Sequence, residues 1–180
     1  MTLDPALAWV ARAALAGLLL GAAAHKLRDL AAFRVALADY ELVPWWLSGA
    51  VVHLVVGAEL AIGTSLLSPW ARPFGLAAAA ALLALYTLAI GTNLVRGRRD
   101  LDCGCFGPGL RVELGLPLVV RNLLWIGIAL AGLLPTGARA LGWVDGVSVA
   151  GAVSALALLH QAASHLLAGV PRLRSAGGPP

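Results

Sequence analysis

The chain has 180 residues, of which 60% are hydrophobic and only 12% charged, and its mean hydropathy is +0.86. Soluble domains carry about a quarter charged residues, so this composition excludes a water-soluble globular fold. The net charge of +4 does not indicate nucleic acid as a partner, because the Arg residues flank long apolar runs and no aromatic–basic interleaving occurs.

A hydrocarbon core of about 30 Å requires roughly 20 apolar residues as helix, and the first such segment is 6–24. Its Ala22-Ala23-Ala24 is similar to a signal cleavage site, but Asp4, the lack of Lys or Arg before the apolar run and the length of that run predict an uncleaved span. Arg12 lies inside it, and Gly17 and Gly21 form a GxxxG suited to close helix packing within the bundle or between copies. His25 and Lys26 mark its aqueous end. Pro44 and the indoles Trp45 and Trp46 precede a second span at 47–67, which contains His53 and Glu59. Pro69, Trp70 and Pro73 bracket the turn into a third span, 73–95, which ends near Asn93. A polar, Gly-rich loop follows, with Arg96, Arg98, Arg99, Asp100, Asp102, Cys103 and Cys105. The fourth span, 116–134, contains Arg121 and Asn122, and Trp143 introduces a fifth at 145–168.

Alternating strand patterns are absent, and lipid forbids unpaired backbone, so the fold class is an all-α polytopic transmembrane bundle. Residues 1–170 form one membrane domain with the bilayer as its first partner, and 171–180 is expected to be a disordered tail. Lys26, Arg28, Arg34, Arg96, Arg98, Arg99, Arg111, Arg172 and Arg174 fall on one side, against Arg72 and Arg139 on the other. The positive-inside rule therefore places the N-terminus outside and the cysteine loop at the cytoplasmic face of the inner membrane.

The two cysteines are separated by Gly104 alone. In so polar a loop they are expected to be accessible. Residues two apart can approach within disulfide range, and a small strained ring is readily reduced, which suits redox exchange. Arg98 and Arg99 favour a thiolate, while Asp100 and Asp102 oppose it. Two thiolates are also half of a tetrahedral zinc site, although no His or Cys follows at finger spacing, and small buried cysteines are a third reading.

Arg12, Glu59 and Arg121 are costly inside lipid and must find partners. Counted from the expected span ends, Glu59 and Arg12 both lie ~18 Å from the cysteine-side boundary and Arg121 only ~8 Å. Glu59 is therefore expected to pair with Arg12 or with Arg121, as bundle glue or as part of a proton relay. Nearer the cysteines, His53, Asn93, Arg121, Asn122 and His165 could hydrogen-bond around the thiols or around a quinone headgroup, the one cofactor this set suggests; ordinary interhelical hydrogen bonds are the alternative.

The run Asn93-Leu94-Val95-Arg96-Gly97-Arg98, then Asp102-Cys103-Gly104-Cys105-Phe106-Gly107, then Arg121-Asn122 resembles the signature of the MauE family of DoxX-like membrane proteins. Lys26-Leu27, Phe33, Tyr40, Pro44 and Glu59 match as well, over roughly residues 10 to 135. The resemblance implies a four-helix DoxX-like core with a fifth C-terminal helix, and a redox-associated inner-membrane protein. It implies a role in maturing a disulfide-rich exported protein, the methylamine dehydrogenase small subunit, beside a thioredoxin-like MauD-type partner. Cys103 and Cys105 would be the redox pair, and Glu59, Arg121 and Asn122 the intramembrane residues of the motif. A non-catalytic scaffold, a transporter or a metal-handling protein are the other readings, and homo-oligomers are compatible with the GxxxG.

Overall fold

Asp4 accepts the Ala6 amide through Oδ1 at 2.8 Å, and Pro5 follows at the first helical position, where its missing N–H costs nothing. Helix α1 starts there and runs Pro5–Arg28. The computed structural model describes residues 2–68, 70–103 and 112–176, with side chains as far as residue 169 in the last helix. The other long helices are α3, Ser48–Leu67, led in by a 3-10 turn at Trp45–Leu47; α4, Arg72–Val95; α5, Leu116–Ala131; and α6, Trp143–Ala176. Among the described residues, four segments are long and apolar enough to cross a membrane: Pro5–Arg28, Trp45–Leu67, Arg72–Val95 and Trp143–Gly169. With 16 residues, or ~24 Å of rise, α5 is a shorter apolar helix than the span expected at 116–134.

The connection after α1 is not the plain loop expected from sequence. It contains α2, Leu30–Asp39. Asp29 ends α1 with its amide on the Lys26 carbonyl and starts α2 with its side chain on the Ala32 amide at 2.8 Å, so the chain turns at a single residue. No residue of α2 is buried, and ten residues cannot span, so α2 lies on the cysteine end of the bundle.

Helices α1, α3, α4 and α5 form a ring in which α1 packs most extensively on α3 and α4 on α5, while α6 covers α1 from outside. Leu15, Leu19, Leu66, Leu76, Ala79, Leu83, Trp125 and Ala129 fill the centre. Lipid gives helices no hydrophobic reason to associate, so small residues and close backbones must hold them. Gly63 does this on α3: a Cβ there would lie 2.7 Å from the Leu20 Cγ. Gly17 and Gly21 do not, since a Cβ at either meets nothing within 4 Å. Within the chain the GxxxG is a gap instead of a seam.

The end away from the cysteines is tied by polar side chains. Arg139 pairs with Asp4 at 3.0 Å and Asp145 at 2.8 Å, joining the starts of α1 and α6. Arg72 donates to the Gly132 and Leu134 carbonyls. Arg12, 4% exposed, donates to the Leu66 and Ser68 carbonyls at 2.8 Å each and stacks on Trp9. Arg12 therefore satisfies the orphan carbonyls at the C-terminus of α3 and is not the partner of Glu59. The contact of Gly63 with Leu20 sets α1 and α3 in a register that places Glu59 level with residue 24, about 18 Å from Arg12.

Candidate functional site

The partner that the register supplies is Lys26. Its Nζ lies 2.5 Å from Glu59 Oε1, and the two side chains are 3% and 0% exposed. The Tyr86 hydroxyl, from α4, donates to the same oxygen at 2.8 Å. Phe33 of α2 places its ring 5.0 Å from the ammonium and Tyr86 its ring at 5.6 Å, so Lys26 is enclosed by aromatic faces as well as by its anion. The short helix thus carries part of the cover that keeps water from the pair. Glu59 Oε2 is buried and has no hydrogen-bond partner among the described residues. A carboxylate oxygen in that position is an acceptor waiting for a donor.

Glu59 also lines a cavity of about 200 Å³. Its walls come from five helices: Ala14, Gly17, Gly21 and His25 of α1, Glu59 of α3, Leu83 and Tyr86 of α4, Arg121, Asn122 and Trp125 of α5, and Val153, Ala157, His160 and Gln161 of α6. The Gly17–Gly21 gap is what opens it. Trp125 and His160 meet edge to face, with the indole N–H donating to Nδ1 at 3.4 Å. Gly17 is at once a wall residue and exposed, so the cavity communicates with the lipid-facing surface beside α1.

Helix α4 ends on Gly97, whose φ of 76° is the left-handed conformation that Gly accepts without strain. The Gly97 amide bonds to the Leu94 carbonyl and the Arg98 amide to Asn93, a Schellman end that turns the chain back over the bundle. The returning arm is stapled by an antiparallel bridge between Asp102 and Glu113, by the Cys103 amide on the Val112 carbonyl at 3.0 Å, and by the Leu114 amide on the Arg99 and Leu101 carbonyls. Cys103 is 8% exposed, packed with Tyr40, Ile90, Val112, Leu114, Leu118 and Ala168, and the Tyr40 hydroxyl reaches its carbonyl at 3.5 Å. The expected accessibility of the thiols therefore does not hold for Cys103, because the arm packs its apolar residues onto the helix ends and draws Cys103 under Tyr40. Cys105 lies outside the described residues.

Of the other candidates, Asn93 is buried with its amide on the Ala89 carbonyl, and its Oδ1 has no partner among the described residues. Arg121 and Asn122 sit on the cavity wall. His53 and His165 are exposed, the former bonded to the Gly49 carbonyl, so neither joins this group. Arg98 pairs with Glu41 at 2.9 Å, while Arg96 and Arg99 are exposed and Asp102 is partly buried in the bridge. Sequence reasoning did not assign Tyr86, His160 or Gln161 to the site; the one available signal was a tyrosine in mid-span. Lys26 reads in the sequence as a boundary marker, because its position at a span end suits that role equally well.

The family described as Methylamine utilisation protein MauE matches residues 4–135. The Methylamine utilization protein MauE of Paracoccus versutus is 38% identical over 170 residues, covering 93% of this chain and 90% of that one. The protein of the same description from Paracoccus denitrificans is 36% identical, covering 72% and 69%, and that from Methylophilus methylotrophus is 35% identical, covering 95% and 90%. No solved structure matches the chain.

Proposed function

The chain belongs to the MauE family, and from that premise we propose that it serves methylamine utilisation as an inner-membrane redox accessory. In this reading Cys103 and Cys105 handle disulfides during maturation of an exported protein of the methylamine dehydrogenase small-subunit type, beside a thioredoxin-like partner. The exchange is a thiolate of one protein attacking a disulfide sulfur of the other; the mixed disulfide is then resolved by the second thiol, with one disulfide formed for each one lost.

The observation that carries the reading is the position of Cys103 relative to the cavity that Glu59 lines. Ile90 of α4 and Leu118 of α5 pack around Cys103. One helical turn further along the same helices, ~6 Å away, Tyr86 and Asn122 line the cavity. A chain that merely braced a partner would have no need to hold a cysteine against a chamber with a buried carboxylate.

Single Cys103→Ser and Cys105→Ser variants test the reading. One of them should accumulate a covalent adduct with its partner, released by reductant, in cells assembling the exported protein. Absence of an adduct from both variants, with assembly undiminished, refutes it and leaves the non-catalytic scaffold.

A further inference from the structure

We infer that the cavity between α1, α5 and α6 is a binding site for a lipid-soluble quinone, with Glu59 Oε2 as acceptor for the hydroxyl of the reduced ring. The ligand's chemistry follows from the walls. Gly17, Leu83 and Val153 offer apolar contact, which favours a flat hydrocarbon ring over a sugar, an amino acid or an ion. The buried Glu59 Oε2 requires a donor and has none among the described residues. Asn122 brings a side-chain amide to the same chamber, suited to a carbonyl oxygen. A ring that presents a carbonyl in one redox state and a hydroxyl in the other satisfies both demands. Access through the lipid-facing gap at Gly17 suits a molecule that arrives dissolved in the bilayer. An acyl chain would leave the carboxylate oxygen unpaired, and a polar metabolite would have to cross hydrocarbon to arrive.

Binding stands independently of the thiol chemistry; the use made of it rests on the function proposed above. There, the cysteine dithiol loses two electrons and two protons as its sulfurs join, and the quinone takes up both to become the quinol. The oxidant that a disulfide-forming cycle needs would then lie one helical turn from Cys103.

The test uses the full-length protein purified in detergent, titrated with decylubiquinone. Saturable binding is expected in the wild type and equally in a chain carrying both Cys103→Ser and Cys105→Ser. Glu59→Gln should weaken it by about tenfold, the effect of losing one hydrogen bond to a charged group. Because that change also disturbs the Lys26 pair, Gly17→Leu is the second variant. A Cβ at Gly17 meets nothing within 4 Å, so the helix should fold with its side chain in the cavity, and binding should be lost while the thermal midpoint is kept. Lack of saturable binding to wild type, or binding indifferent to a folded Gly17→Leu, overturns the proposal. The two readings fail separately. Quinone binding blocked by Gly17→Leu with no trapped partner removes thiol exchange and leaves the site. A trapped partner from a chain that binds no quinone removes the site and leaves thiol exchange.

Discussion

Lys26 and Glu59 come from helices facing each other at the cysteine end, and they meet through a single carboxylate oxygen at 2.5 Å, with Tyr86 on the same atom. Both donors fall on Oε1, so the pair binds the helices together and leaves Oε2 without a donor among the described residues. Removing one member of a buried pair strands the other charge. Lys26→Met is expected to cost about 3–5 kcal/mol. Combining it with Glu59→Gln should restore much of that loss, since the stranded anion is then gone. Unfolding in detergent as a four-member mutant cycle measures the coupling; additive losses would show that the two side chains act independently.

Arg12 has a different task, and its variants should separate from those of Glu59. Arg12→Leu removes the donors to the Leu66 and Ser68 carbonyls, at an expected cost of about 2–3 kcal/mol. It should leave ligand binding in the cavity unchanged, because Arg12 is not among the cavity walls. A loss of binding in a folded Arg12→Leu chain would contradict the separation.

These two residues also show what the amino-acid pattern could and could not convey. Long apolar runs announced α1, α3, α4 and α5 to within a few residues, because only continuous hydrocarbon is stable in lipid, whereas α6 runs on to Ala176, past the expected end at 168. Arg12, Glu59 and Arg121 were visible as charges out of place. Which cation Glu59 meets depended on helix register, and the close approach of Gly63 to Leu20 that marks this register is contained in no count of residues from a span end. Helix α2 escaped because a search for spans needs about 20 residues and α2 has ten. The meaning of Gly17 and Gly21 was reversed for a related reason: small residues permit either a close helix or a gap, and only the placement of α6 decides.

Gly63 gives the register its own test. Gly63→Val forces branched carbons against Leu20, and overpacking of this kind costs about 1–3 kcal/mol. Gly57→Ala, at a position with nothing within 4 Å, is the control and should be close to neutral. If Gly63→Val proved as stable as Gly57→Ala, the α1–α3 contact would not be the determinant of register described above.

The polar clasp at the opposite end predicts a pH dependence. The Arg139 hydrogen bond, followed by that of the Ala6 amide, holds the Asp4 carboxyl below its ordinary 3.8. In turn, Asp145 first and Asp4 second raise the Arg139 guanidinium above its ordinary range. A carboxyl with a depressed folded-state value contributes stability above its unfolded value and loses it as pH falls through the folded one. Asp4→Asn keeps a competent helix cap while removing the charge. Its thermal midpoint should lie slightly below wild type at neutral pH, and the gap should close as pH falls below 3.8. A gap that stays constant into acid would assign the effect to packing.

Cys103 makes the last prediction, since its burial and its charge surroundings bear on different observables. Packed under Tyr40 at 8% exposure, its sulfur should react with maleimide in the Cys105→Ser chain about tenfold or more slowly in native membranes than after denaturation, because reaction must wait for the arm to open. Tyr40→Ala should accelerate labelling by loosening that cover. The arginines around the loop add sidedness: by the positive-inside rule a membrane-impermeant maleimide should label only after cells are permeabilised. Labelling in intact cells would reverse that orientation and place the cysteine pair where an exported protein could meet it directly. Labelling restricted to permeabilised cells would put the pair out of direct reach of an exported protein, and any mixed disulfide trapped by the single variants would then have to be with a partner on the cytoplasmic side.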